Sequence, residues 1–131
     1  MMDNVLNRSE RIGRRAVAKL TALAAGLAFA SAAFAHVFPQ KQEPGAGATV
    51  ASPPQVRVTF DGPLEPAFSS LTVTDASGKQ LTTVKASVDP HQPRTMTVRL
   101  PSLAPGHYTV HWVAVASDGH RTHGDYGFDV K

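Results

Sequence analysis

The 131-residue sequence predicts an all-β fold beyond residue 35, an antiparallel sandwich or Greek-key barrel. Three observations support this prediction. Short segments alternate apolar and polar residues with a period of two, which is typical of half-buried strands. They recur about every ten residues, as in sandwiches and barrels. The chain has 10 prolines and 10 glycines, most of them between these segments, and no segment beyond residue 35 has the apolar spacing of a helix.

The first 35 residues predict an export signal that a protease removes after Ala35. Its basic part precedes an apolar run of about fifteen residues, shorter than the roughly 20 that a membrane-spanning helix requires. Ala33 and Ala35 supply the small residues of a cleavage site. A pair of adjacent arginines fits a twin-arginine signal only loosely, so we expect the general secretory route. The predicted domains are therefore a signal peptide over 1–35 and a mature domain over 36–131.

The predicted strands follow one another with short turns between them. They cover 55–60, 71–74, 80–84, 96–100, 108–116 and 126–130. The residues Asp75-Ala76-Ser77-Gly78 predict a hairpin turn between the second and third of these strands. The segment from Val37 to Ser52 is less regular, yet it must be attached to the sandwich if His36 is to have a fixed position.

One turn indicates the type of sandwich. The run 103–108, which ends in Gly106-His107-Tyr108, is similar to the tyrosine corner of immunoglobulin-like domains, in which a tyrosine hydroxyl ties the turn to the following strand. Tyr108, Val110 and Trp112 share one face of the longest predicted strand. We therefore expect an immunoglobulin-like sandwich with both aromatic rings in its core.

Charge and cysteine content exclude several classes of function. The chain has 13 basic and 10 acidic residues, of which the predicted signal holds five and two, so that eight of each remain in 36–131. A formally neutral mature domain gives no reason to expect nucleic acid or an anionic membrane surface as a partner, because both require clustered basic charge. Cysteine is absent, so the exported domain depends on its apolar core rather than on disulfides.

All six histidines lie beyond the predicted signal, and His36 becomes the first residue if the signal is removed. A histidine at a free amino terminus can bind one metal ion through both its α-amine and its imidazole Nδ1. The reference pKa values, about 7.7 to 8.0 for the amine and about 6.5 for the imidazole, predict that the affinity falls in acid. Nitrogen and oxygen donors in tetragonal geometry favour Cu(II).

The segment Ser117-Asp118-Gly119-His120 could supply the remaining donors. Its carboxylate and imidazole are two residues apart and share one face of an extended chain. Gly119 also allows a turn between them without a steric penalty. An Asp-Gly pair is common in turns and a histidine after it is usually solvated, so the triplet alone leaves both interpretations open. Its combination with His36 favours metal binding.

Beyond residue 35 the sequence resembles the CopC family of periplasmic copper-binding proteins over nearly its whole length. The matching pieces are His36, 44–48, 56–60, 103–112, 117–120, Gly124 and Phe128. The resemblance implies an immunoglobulin-like Greek-key sandwich that binds one Cu(II) ion through the amino-terminal histidine, a distant histidine and an aspartate. Those roles fall on His36, His120 and Asp118. It also implies a periplasmic protein of copper resistance that sequesters copper or carries it to a CopD-like inner-membrane transporter. We expect a monomer with no catalytic activity.

The sequence departs from the family in two places. Some members have a separate Cu(I) site in a methionine-rich loop, because thioethers suit monovalent copper. Here only Met96 lies beyond the predicted signal, in a predicted strand, so we expect a core position for it and no Cu(I) site. Residue 37 is valine where many relatives have alanine, and the sequence assigns no consequence to this difference.

The remaining histidines are weaker candidates. His123 could approach the metal or orient one of its ligands, although a solvent-facing loop position is the simpler interpretation. His107 and His111 lie on the strand face opposite Trp112, which predicts surface positions. His91 lies in a predicted turn.

Two other functions fit part of the sequence. Lytic polysaccharide monooxygenases also combine an amino-terminal histidine with a second histidine on a β-sandwich. The 96 residues beyond the predicted signal leave little room for their extended substrate face, however, and Asp118 would occupy a coordination position that oxygen needs. An adhesion or scaffold sandwich with incidental histidines is the third class, and it predicts no dependence on removal of the signal.

Overall fold

The computed structural model describes residues 36–131, so the predicted signal over 1–35 lies outside the described residues. The described strands are β1 (Pro39–Glu43), β2 (Thr49–Val50), β3 (Gln55–Phe60), β4 (Ser70–Asp75), β5 (Ser87–Asp89), β6 (Gln92–Arg99), β7 (Gly106–Val115) and β8 (Arg121–Val130). They form two four-stranded sheets, ordered β1-β3-β6-β5 and β2-β8-β7-β4. No helix occurs in the described part of the chain, and therefore none that could cross a membrane. The predicted all-β sandwich is confirmed.

The core lies between the two sheets because alternate side chains of each strand point inward. On β3, Val56, Val58 and Phe60 are completely buried, while the residues between them are partly exposed. The two longest strands, β7 and β8, pair in antiparallel register over their whole length, from Gly106 with Val130 to Val115 with Arg121. This hairpin holds the turn between β7 and β8 in a fixed position.

The predicted aromatic core is confirmed. The Tyr108 hydroxyl donates a 2.6 Å hydrogen bond to the Ala104 carbonyl, as expected for a tyrosine corner. Trp112 packs edge-on against Phe60, with ring centroids 5.5 Å apart. Its indole also lies directly over Gly124, where a Cβ would approach within 2.7 Å of the ring. Met96 is buried in the same core, as its position in a strand predicted.

The predicted strand over 80–84 is wrong. The turn over 75–78 does form, but the chain after it pairs with β4 at a single bridge, between Thr74 and Gln80. Two residues further on, the Thr82 hydroxyl rather than a backbone carbonyl faces the Val73 N–H, at 3.5 Å. A side chain in this place does not continue a strand ladder, and the chain crosses to β5 in the other sheet.

The irregular segment from Val37 to Ser52 is attached to both sheets. Its first strand, β1, pairs antiparallel with β3, and its second, β2, pairs parallel with β8. Backbone pairing on both sides of the sandwich therefore fixes the chain that follows His36.

Candidate metal centre

The start of the described domain meets the turn between β7 and β8 at one end of the sandwich. His36 and His120 are 84 positions apart in sequence, yet their ring centroids lie 5.3 Å apart with an interplanar angle of 44°. Both residues are exposed. The sequence-based expectation that residue 36 lies beside the 117–120 segment agrees with this geometry.

A tight turn between β7 and β8 positions His120. The Gly119 N–H donates to the Ala116 carbonyl at 2.9 Å, and the Ala116 N–H donates to the His120 carbonyl at 2.9 Å. Gly119 has φ +87°, in the left-handed region that favours glycine, and a Cβ there would meet no atom within 4 Å. Glycine is therefore suited to this position by its backbone conformation, and the segment forms a turn rather than an extended chain.

Asp118 holds His120 at two points. Its Oδ2 lies 2.8 Å from Nδ1 of the His120 ring, and its Oδ1 accepts the His120 backbone N–H at 3.0 Å. These hydrogen bonds, the backbone one first, lower the pKa of Asp118. Because an ionised carboxylate can only accept, Nδ1 of the neutral imidazole carries the proton and Nε2 keeps its lone pair. His120 is thus oriented with Nε2 as its available donor atom.

A buried hydroxyl holds the backbone next to His36. The Thr122 Oγ1 donates a 2.5 Å hydrogen bond to the Val37 carbonyl. Both residues are buried. Thr122 occupies an inward position on β8 just after the 117–120 turn, so one short segment holds both His120 and the chain that carries His36.

Two further contacts hold the same backbone from the β3 side. The Phe38 N–H donates to Asp61 Oδ1 at 2.8 Å, and the Asp61 N–H donates to the Phe38 carbonyl at 3.0 Å. The Val37 side chain packs over Gly62, where a Cβ would come within 2.6 Å of Val37 Cγ1. The valine at position 37 therefore has a consequence that the sequence could not assign, since it anchors the start of the domain in the core.

Sequence reasoning missed Asp61, Gly62 and Thr122. The first two belong to the run Asp61-Gly62-Pro63 directly after β3, and residues of these types usually mark only the end of a strand. One feature of Thr122 could have identified it. It is a polar residue at an inward position of β8, where other inward residues are the aromatic Tyr126 and Phe128. Nothing in the sequence indicated its partner, 85 positions away.

The cluster is not a finished coordination sphere. Within residues 36–131, no three histidine, cysteine, aspartate or glutamate side chains form a group that could hold a metal ion as they stand. Of the predicted ligands, the described structure contains the two imidazoles and the Asp118 carboxylate, whereas the free α-amine of His36 would require the predicted cleavage after Ala35. Asp118 is engaged with His120 in the described arrangement.

The other histidines lie on strands or in a turn outside the 117–120 segment. His107 and His111 are on the outer face of β7, as predicted, and their Nδ1 atoms lie 2.8 and 2.6 Å from carboxylate oxygens of Asp129 and Asp125. His91 is in the turn between β5 and β6, also as predicted. His123 is exposed on β8, opposite Val113, and so belongs to a strand rather than to a loop.

The described domain is an immunoglobulin-like β-sandwich, and two histidines and one aspartate cluster at one end of it. Comparison with known families and structures agrees with this class. The CopC domain family matches residues 40–131, and the chain belongs to this family.

Three relatives illustrate the similarity. Protein YobA of Escherichia coli K12 is 36% identical over 100 residues, which cover 75% of this chain and 81% of the relative. Copper resistance protein C of Xanthomonas campestris pv. juglandis is 34% identical over 115 residues, or 83% of this chain and 90% of that protein. The crystal structure of CopC from Methylosinus trichosporium OB3b superposes with a TM-score of 0.69 at 39% identity, covering 73% of this chain and 94% of that chain.

Proposed function

We propose that this chain is a periplasmic Cu(II)-binding protein of copper resistance or homeostasis, which starts at His36 once the signal over 1–35 is removed. The observation that supports it most strongly is the 5.3 Å approach of the His36 ring, at the start of the domain, to the His120 ring in the turn between β7 and β8. The CopC family membership and a relative named copper resistance protein C support copper as the metal.

Each of the three residues has a distinct part in the proposed site. His36 supplies its α-amine and its imidazole Nδ1, and His120 supplies Nε2. Asp118 orients the His120 ring and makes its imidazole more basic, as carboxylates bonded to metal-binding histidines do. In the described arrangement both carboxylate oxygens contact His120, so Asp118 would act as a hard oxygen donor for Cu(II) only after its Oδ2 leaves Nδ1. One ion per chain follows from one such cluster.

The contacts around Val37 support tight binding. A free amino terminus is normally mobile, and ordering it costs conformational entropy when the metal binds. Here Thr122 and Asp61 hold the peptide group between Val37 and Phe38, at its carbonyl and at its N–H respectively. Only the His36 residue itself remains to be ordered, which favours binding in the same way as other pre-organised sites.

Sequestration and transfer fit the site better than catalysis. The His120 side chain is 54% exposed, so an accepting protein could reach a bound ion directly. We propose a CopD-like inner-membrane copper transporter as that acceptor, and a monomeric chain as the donor.

A copper titration of the processed protein tests this function. We expect one equivalent of Cu(II) to bind saturably at pH 7 in competition with a chelator, with nitrogen hyperfine splitting in the electron paramagnetic resonance spectrum. With ascorbate present, oxygen consumption should not exceed that of free copper. The absence of saturable binding would favour an adhesion or scaffold role, and copper-dependent oxygen consumption above the free-ion level would favour a monooxygenase.

A further inference from the structure

A groove crosses the outer face of the β1-β3-β6-β5 sheet. It consists of two hollows of about 460 and 450 Å³ that share Gln55, Ser87 and Thr97, so it runs continuously across β3, β6 and β5. We call it the sheet-face groove. Its remaining polar lining includes Arg57, Lys85, Arg99 and Asp89.

The sheet-face groove concentrates positive charge on a domain with no net charge. Three of the eight basic residues in 36–131 line it, and Asp89 is its one acidic residue. Among the described residues, no carboxylate lies within 4 Å of the charged nitrogens of Arg57, Lys85 or Arg99. The Arg57 guanidinium donates a 2.8 Å hydrogen bond to the neutral Gln92 side chain, which leaves its charge uncompensated.

Strand register brings these cations together. Arg57 pairs with Thr97, and Gln55 pairs with Arg99, so the two arginines are diagonal neighbours on adjacent strands. Diagonal neighbours of this kind have Cα atoms about 7 to 8 Å apart, within reach of one another's long side chains. An anion bound between the two strands is therefore within reach of both side chains and would offset their like charges.

The groove has a wall and an apolar extension. The pairing of β5 with β6 shifts register between Val88 and Asp89, and the turn that follows brings Pro90 to the groove edge. A third hollow, of about 340 Å³, also includes Gln55 and Arg57 and is lined further by Glu43 and by four apolar residues, Val50, Pro44, Pro53 and Pro54. Glu43 is the cross-strand partner of Arg57, and its carboxylate pairs with Lys41 at 3.0 Å. A cationic strip thus lies beside an apolar one.

We propose that the sheet-face groove binds an extended acidic peptide segment of a partner protein. Carboxylates of the segment pair with Arg57, Lys85 and Arg99, since guanidinium groups bind carboxylates with two parallel hydrogen bonds. An apolar side chain of the segment occupies the hollow beside Pro53 and Pro54. A peptide fits better than a free anion because the lining spans three strands and includes apolar surface that a small ion would not use.

The groove extends along β3 from Gln55, at the start of the strand, to Thr95, which pairs with Thr59. Phe60 ends the strand just before Asp61, which holds the Phe38 backbone. No residue that lines the groove belongs to the candidate metal centre. The inference does not depend on copper binding, and each can fail without the other.

Binding of a defined peptide tests the inference. The probe is a fluorescein-labelled peptide of alternating glutamate and leucine, and its comparison peptide has glutamine in place of glutamate. We expect the purified protein to bind the first more tightly than the second, with binding that weakens as salt is added. Amide chemical shifts should change at Ser87, Thr97 and Arg99 in the unsubstituted protein, so this measurement does not depend on any variant folding.

A matched pair of variants separates the groove from general charge attraction. Lys85→Glu with Arg99→Glu should weaken peptide binding by about tenfold or more, because it places like charges opposite the carboxylates. Lys79→Glu with Arg94→Glu changes the same residue types outside the groove and should leave binding unchanged. Equal losses in both variants, equal binding of the glutamine peptide, or displacement of the probe by equimolar glutarate would each overturn the proposal.

Discussion

Two regions of the molecule contain the same pair of side chains and differ in what surrounds it. At the candidate metal centre, Asp118 lies 2.8 Å from Nδ1 of His120. On the outer face of the β2-β8-β7-β4 sheet, Asp129 lies 2.8 Å from Nδ1 of His107. Only the first histidine has a second imidazole near it, that of His36. A histidine bonded to a carboxylate therefore has an oriented ring, and a metal site is favoured only where a second donor, such as the His36 imidazole, lies near that ring.

The strand geometry explains why the histidines on this outer face do not come together. His107 and His111 are four residues apart on β7, which places them about 13 Å apart along an extended strand. His111 is also engaged on both nitrogens, with Asp125 at Nδ1 and the Thr74 hydroxyl 2.9 Å from Nε2. Histidines along one strand of a sheet face are held apart by the strand, whereas at the end of the sandwich residues from distant parts of the chain lie side by side.

The largest expected difference between the two regions is in the histidines themselves. His120→Ala should weaken Cu(II) binding about a hundredfold or more, since even partners of metal ligands typically contribute 10- to 100-fold. His111→Ala removes a histidine with the same carboxylate contact and should leave the dissociation constant unchanged. Competition titration with a chelator measures both. Equal losses of Cu(II) affinity would show that copper binds to surface histidines in general rather than at the candidate metal centre.

Backbone packing should also distinguish the regions. Gly62→Ala should lower the free energy of unfolding by about 2 kcal/mol, because its Cβ would collide with the buried Val37 side chain. Gly127→Ala directs its Cβ at the exposed His107 ring, at 2.7 Å, and this ring can rotate away. Urea denaturation compares the two variants. If Gly127→Ala lowered the free energy of unfolding as much as Gly62→Ala does, the packing of Val37 on Gly62 would not be a rigid anchor specific to the metal-centre end.

The two aspartates should have different effects on copper binding. Asp118→Asn should weaken it about tenfold or more, because the charge that orients and polarises the His120 ring is lost. The pKa of Asp118 is lowered by its hydrogen bonds with His120, so the carboxylate is ionised in a titration at pH 7. Asp125→Asn is the matched substitution at His111 and should have no effect. A copper affinity that falls equally in both would remove the assigned role of Asp118.

The smallest expected effect concerns two threonines. Thr122→Val leaves the buried Val37 carbonyl without its donor, which should cost about 1 to 2 kcal/mol of stability and weaken copper binding by a smaller factor than Asp118→Asn. Thr74→Val removes the hydroxyl beside His111 and should not change copper binding. Thermal unfolding and chelator competition on the same samples give both quantities. Unchanged stability in Thr122→Val would show that its hydrogen bond does not hold the start of the domain.

The sequence predicted those parts of the fold that carry a repeating signal. Alternation identified β3, β4, β6, β7 and β8, and the tyrosine corner was recognised from residues 103–108 alone. It did not identify β1, β2 or β5, which have two to five residues and depend on pairing with a neighbour. The segment 80–84 is the opposite case, because it alternates like a strand but bridges β4 only at Gln80, and beyond that point the Thr82 hydroxyl rather than a backbone carbonyl faces the Val73 N–H.

The candidate site was predictable where its chemistry is local. Asp118 and His120 stand two residues apart, and His36 follows a recognisable cleavage site. The Thr122 bond to Val37 joins residues that no spacing rule connects. The balance of eight basic and eight acidic residues likewise concealed the sheet-face groove, because net charge contains no information about register.

The free amine of His36 is the central claim, and it can be tested directly. Cu(II) affinity is compared between protein that begins at His36 and the same protein preceded by a single glutamine cyclised to pyroglutamate, which has no free amine. The account predicts a loss of about a hundredfold or more, because a donor is removed while His120 and Asp118 are retained. Equal affinity in the two proteins would contradict it.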